Sequence, residues 1–135
     1  MFEYFKKTRR VARAGREIVS LLVGPLSFAR GSSGALDPKI AKDEFILAYI
    51  FGGICACLKP FDVADDEEKA MLVRYVYKEI FHDVRLAEVC SMKAVQRDPA
   101  FIEVMDTAYN EIEACFSTRG EKIPKSMLDH VSANY

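Results

Sequence analysis

Fourteen consecutive residues without a charge, Phe45 to Leu58 (FILAYIFGGICACL), constrain this chain more than any other stretch. A transmembrane helix needs about 20 apolar residues. This run is shorter, with Lys42, Asp43 and Glu44 before it and Lys59 and Pro60 after it. A parallel-sheet strand would be shorter still and richer in β-branched residues. A helix that is apolar all round belongs inside a core. The pattern therefore predicts a buried central helix over about residues 38–58, with Asp37 as its cap, Pro38 at its first position and Pro60 as its stop. Ala48, Gly52 and Ala56 recur every four residues and form a ridge of small side chains, with Gly53 and Cys57 as a second strip. Each Gly costs a helix about 1 kcal/mol relative to Ala. Close approach of a neighbouring helix, Leu72–Val84 or Phe101–Phe116, is the expected compensation.

The segments around this run carry helical periodicity and helix punctuation. Residues 2–22 read as an amphipathic helix, with Tyr4, Phe5, Val11, Ala12, Ile18, Val19 and Leu22 in an arc of about 140°. Residues 24–36 contain GPLSFARGSSG and read as a flexible linker. That linker lacks the Lys-Ser/Thr pair and the preceding strand of a phosphate-binding loop. Asp65 and Glu68 are spaced as a capping box, followed by the stripe Leu72, Val76, Ile80 and Val84. Asp83 is the expected cap of a further helix through about Gln96. Asp98-Pro99 opens another helix, with Phe101, Val104, Met105, Ala108, Ile112 and Cys115 at helical spacing, and Gly120 as its left-handed end. A short helix is expected after Pro124. No segment alternates as a strand does. The expected fold is all-α, a single domain over residues 1–135 with five or six helices. Residues 37–135 form its helical core, and the basic first helix either packs on that core or projects from it.

A chain of 135 residues can bury a sizeable core, and 50% hydrophobic with 29% charged residues is ordinary for a globular protein. The net charge of −1 conceals an asymmetry. Residues 1–30 carry seven Lys/Arg and two acids, whereas residues 31–135 carry twelve Lys/Arg and eighteen acids. Such a split favours either internal docking or an acidic partner. Glu3 and Glu17 argue against a mitochondrial targeting segment, and Pro25 against a secretory one. Cys55, Cys57, Cys90 and Cys115 lie in apolar helical stretches and read as buried free thiols.

Chemistry-bearing motifs are sparse. Glu79-Ile80-Phe81-His82 has the Glu-x-x-His spacing of a di-metal bundle, but His130, the only other histidine, has Met127 three residues before it. Glu79 and His82 are thus half of such a site at best. The acids Asp62, Asp65, Asp66, Glu67 and Glu68 lack the alternate spacing and central Gly of a calcium loop, and acids are expected at a helix start. No cofactor motif and no nucleophile elbow are present.

The pattern points to a non-enzymatic helical binding protein. In that reading the basic face, Lys6, Lys7, Arg9, Arg10, Arg13 and Arg16, engages an anionic membrane surface or an acidic protein partner. The expected location is the cytoplasm, at the periphery of a membrane if lipid is the partner. A second reading is a small-molecule- or metal-binding domain, or an enzyme, with a site near Gly52, Gly53, Tyr75, Glu79 and His82. A third is a homo-oligomer of structural role. Nucleic acid is disfavoured, because the basic residues are confined to one helix with no aromatic stacking platform.

Overall fold

The computed structural model describes residues 2–30 and 34–135. Six α-helices and no strands are found among them: α1 Phe2–Leu26, α2 Glu44–Leu58, α3 Asp66–Phe81, α4 Arg85–Val95, α5 Pro99–Ser117 and α6 Lys125–Asn134. Two short 3-10 turns, Ser27–Ala29 and Pro38–Lys42, complete the order. The protein is a single-domain all-α bundle.

α2 is the axis of the bundle. Ile46, Leu47, Ala48, Tyr49, Ile50, Gly52, Gly53, Ile54, Ala56 and Cys57 are all buried, so nearly its whole circumference is covered. The small ridge meets α5. A Cβ built on Gly52 would lie 2.1 Å from the Met105 carbonyl oxygen and 2.8 Å from the Ala108 Cβ, so only glycine allows this approach. On another side, a Cβ at Gly53 would meet the Ile18 Cδ1 of α1 at 2.8 Å. The glycines are therefore filled by neighbouring helices.

The central helix is shorter than its sequence suggests. Residues 38–42 form a 3-10 turn, and Asp43 is extended (φ −82°, ψ 106°) before α2 starts at Glu44. Two caps explain the break. Asp37 accepts the Lys39 N–H at 2.9 Å, and Asp43 accepts the Ile46 N–H at 3.2 Å. An aspartate that satisfies a free amide from outside the helix competes with helical continuation through itself.

The first helix is longer than expected. It runs through Gly24 and Pro25 to Leu26, and Pro25 and Leu26 are both buried. Proline removes one bond near the helix end, where few bonds remain to be lost, and burial of Leu26 holds the turn. The linker therefore begins later than residue 24. Its ends are tied together, because Asp37 donates its N–H to the Ala29 carbonyl at 2.6 Å and Arg30 bridges antiparallel to Leu36. The flexible stretch expected at Gly31-Ser32-Ser33 lies outside the described residues.

α3 packs chiefly on α1, with Leu72, Val73, Val76, Tyr77 and Ile80 buried. Against Gly15 of α1 lies the Tyr75 ring, whose Cδ1 is 2.2 Å from where a Cβ would be. The expected stripe stops at Ile80. His82 turns left-handed (φ 57°), α3 ends at Phe81, and Val84 is left 44% exposed. Asp83 does not cap α4 as expected. Val84 occupies that position without a side-chain bond, and Asp83 accepts the Arg85 N–H instead. Asp98 caps α5 through the Phe101 N–H at 3.1 Å, and Gly120 is left-handed (φ 91°) beyond its end.

A polar clasp holds α6. Glu111 of α5 accepts the Tyr49 hydroxyl at 2.7 Å, the Ser126 N–H at 2.9 Å and the Ser126 hydroxyl. Burial, with this carboxylate as neighbour, pushes the Tyr49 phenol far above its ordinary value. At the other end of α6, Asp43 Oδ2 pairs with His130 Nε2 at 2.8 Å and accepts the Tyr135 hydroxyl at 2.9 Å. The His130 ring stacks on Phe45 with centroids 4.2 Å apart. Burial alone would raise the Asp43 carboxyl. The bonds from His130, the Ile46 N–H and Tyr135 outweigh it and hold the group below its usual range.

Candidate functional site

α1 presents two faces with different fates. Val11, Ala14, Gly15, Ile18 and Leu22 are buried. At 100° per residue they occupy an arc of about 100°. The helix is thus an integral wall of the bundle over most of its length. Tyr4 continues this face toward the amino terminus but is 57% exposed, and Phe5 points to the other side and is 63% exposed.

The basic residues divide into two groups. Lys7 and Arg10 turn toward the start of α3. Lys7 Nζ lies 3.0 Å from Asp65 Oδ2, and the hydrogen bond and charge of Asp65 raise the lysine pKa. The Asp65 carboxyl is held low by the Glu68 N–H and by Lys7. Arg10 forms a two-pronged pair with Glu68, from Nε to Oε2 at 3.2 Å and from Nη2 to Oε1 at 2.9 Å. Glu68 is only 2% exposed, and among the described residues it is the one charged residue in the buried core. The capping box is therefore half formed. Asp65 accepts the Glu68 N–H at 2.8 Å, while the Glu68 carboxylate turns to Arg10. The acidic cluster of α3 is the internal partner of these two cations. Charge asymmetry along the sequence is spent partly inside the molecule.

Lys6, Arg9, Arg13 and Arg16 lie on the opposite, outward face and are exposed. Phe2, 77% exposed, and Phe5 share this face. Together the six side chains span an arc of about 100° and a helix length of about 21 Å. Glu3 and Glu17 fall outside that arc. Lys6 Nζ sits 5.2 Å from the Phe2 ring centroid, and the Arg13 guanidinium 5.9 Å from that of Phe61. Neither contact removes the charge from solvent. The result is a convex cationic stripe with two aromatic rings at its amino-terminal end.

Comparison of the chain with protein-family models, with curated proteins and with solved structures gives no match.

The other predicted site residues do not converge. Gly52 and Gly53 are covered by α5 and α1, and Tyr75 is packed on Gly15. Glu79 and His82 both line an open cleft at the end of α3, whose walls do not include Gly52, Gly53 or Tyr75. His82 is past the helix end, so the one-turn helical spacing that would aim both side chains at one ion is lost. Among the described residues, no group of three or more His, Cys, Asp or Glu side chains is placed to hold a metal. The four cysteines are free thiols, three of them buried, and burial raises the pKa of each. No described helix is long and apolar enough to cross a membrane.

Helical periodicity reveals the cations but not their division. The same periodicity puts Phe5 in the apolar arc, whereas Phe5 is exposed. Its angle on the helix wheel lies at the edge of the predicted apolar arc, and only the position of α3 decides which edge is covered.

Proposed function

We propose that this protein docks peripherally on an anionic membrane surface through the outward face of α1. The observation that carries the reading is the coincidence of exposed Phe2 and Phe5 with Lys6, Arg9, Arg13 and Arg16 in one acid-free arc. A surface helix of a water-soluble bundle needs cations, but it does not need two exposed phenylalanines among them.

The mode differs from that of an inserting amphipathic helix. In such helices the apolar arc enters the lipid. Here that arc is already spent on Ile18, Leu22 and their neighbours inside the bundle. Docking is thus chiefly electrostatic, with about 1 kcal/mol from each cation close to an anionic leaflet. Phe2 and Phe5 add shallow anchoring at the headgroup level. A convex helix face also suits a flat surface better than it suits a groove.

The test is co-sedimentation of the full chain with phosphatidylcholine vesicles, with and without phosphatidylserine. Binding is expected only to the phosphatidylserine vesicles. It should weaken as salt rises from about 0.1 M to about 1 M, because the Debye length falls from about 10 Å to about 3 Å. Absence of binding to the anionic vesicles at low salt would reject the membrane reading and turn attention to an acidic protein as the partner.

A further inference from the structure

A cleft of about 450 Å³ opens between the end of α1, the 3-10 turn at Pro38–Lys42 and the last turn of α3. Its floor is apolar, with Leu26, Ile40 and Ile80 each nearly fully buried beneath it. Its size falls within the range of small-molecule sites, which combine such a floor with a few polar groups at the rim. We propose that this cleft binds a small amphipathic amine, its alkyl part on the apolar floor and its ammonium at the rim beside Glu79.

Charge at the rim selects the amine over an acid. Asp37 and Glu79 are the carboxylates that line the cleft, and Arg30 is the cation. The Arg30 guanidinium is engaged in part, since Nη1 donates to the Gly34 carbonyl at 3.1 Å. His82 also lines the rim. The last turn of α3 adds a negative helix end. His82 N–H bonds the Lys78 carbonyl, and among the described residues no further backbone or side-chain donor reaches the carbonyls of Glu79, Ile80 or Phe81. An ammonium has three donors and no acceptor, which matches a rim of carboxylates and open carbonyls. A carboxylate ligand would meet repulsion at the same place.

The experiment titrates the full-length protein with octylammonium, octanoate and octanol, below their aggregation limits, and follows amide chemical shifts. Saturable shifts at Val19, Leu26, Ile40 and Ile80 are expected for octylammonium, with octanoate weaker on the order of tenfold. Glu79→Gln, an exposed change, should weaken octylammonium about two- to fivefold, the range of an exposed ion pair, and leave octanol unchanged. No saturable shift in the cleft with octylammonium would overturn the proposal. So would equal or tighter binding of octanoate, or an octylammonium affinity unaffected by Glu79→Gln.

Discussion

Replacing Gly52 by alanine probes the packing that organises the bundle. The added methyl would lie 2.1 Å from the Met105 carbonyl oxygen, against an ordinary C···O contact of about 3.3 Å. α2 and α5 would have to separate by about 1 Å. The obstacle is backbone, so no rotamer change relieves it. Overpacking of this kind costs about 1–3 kcal/mol, and the rigid obstacle places Gly52→Ala near the upper end. The better helix propensity of alanine returns about 1 kcal/mol. The net is a loss of about 2 kcal/mol, or a fall in melting temperature of about 4–10 °C for a chain of this size. Gly24→Ala is the control, since no described atom beyond its chain neighbours and its own helix backbone lies within 4 Å of its added Cβ. There the propensity gain is offset by crowding of the new Cβ against the following Pro25 ring, so stability should stay within about 1 kcal/mol of the wild type. Urea unfolding followed by far-UV circular dichroism measures both. If Gly52→Ala were as stable as the wild type, or no less stable than Gly24→Ala, the close α2–α5 contact would be wrong.

Other outcomes follow from named contacts. Arg10→Ala strips the partner from a buried carboxylate and should destabilise the protein clearly more than Arg9→Ala, which should stay within about 0.5 kcal/mol; equal effects in urea unfolding would contradict the Arg10–Glu68 pair. Tyr77→Phe removes the buried hydroxyl that donates to the Leu47 carbonyl at 2.7 Å and should cost about 0.5–1.5 kcal/mol in the same assay. Asp43 has a depressed carboxyl pKa in the fold, so its bonds to His130 and Tyr135 stabilise above the unfolded value of about 4 and lose that contribution as pH falls below it. The stability gap between wild type and Asp43→Asn should therefore narrow as pH falls below about 4, and a gap that widened there would refute the assignment.

Much of the fold is legible because local signals agree with one another. Asp98-Pro99 opens α5, Gly120 lies left-handed beyond it, and the ridge at Gly52 marks a close helix contact, which of the two candidate helices α5 makes. The misreadings are places where two local signals compete. Asp37 and Asp43 both offer caps, and the chain uses both, which shortens α2. Pro25 looks like a terminator, yet burial of Leu26 carries the helix past it. The surface was less readable than the core. Glu68 has the spacing of a reciprocal cap, and nothing local to it announces Arg10, 58 residues away. The His130–Asp43–Tyr135 clasp joins residues even farther apart, in a tail where the sequence marks only a short helix. On α1, helical angle identified the basic stripe, but tertiary packing decided which cations stay free and which aromatics remain exposed.

Membrane docking through the outward face of α1 can be tested with a single variant. Phe2→Ser/Phe5→Ser/Arg9→Glu alters three exposed positions and none of the internal pairs. Its partition onto phosphatidylserine-containing vesicles, measured beside its melting temperature, should fall at least about tenfold while the melting temperature stays within a few degrees of the wild type. Unchanged partition of the folded variant would show that this face of α1 is only a solvated wall of the bundle.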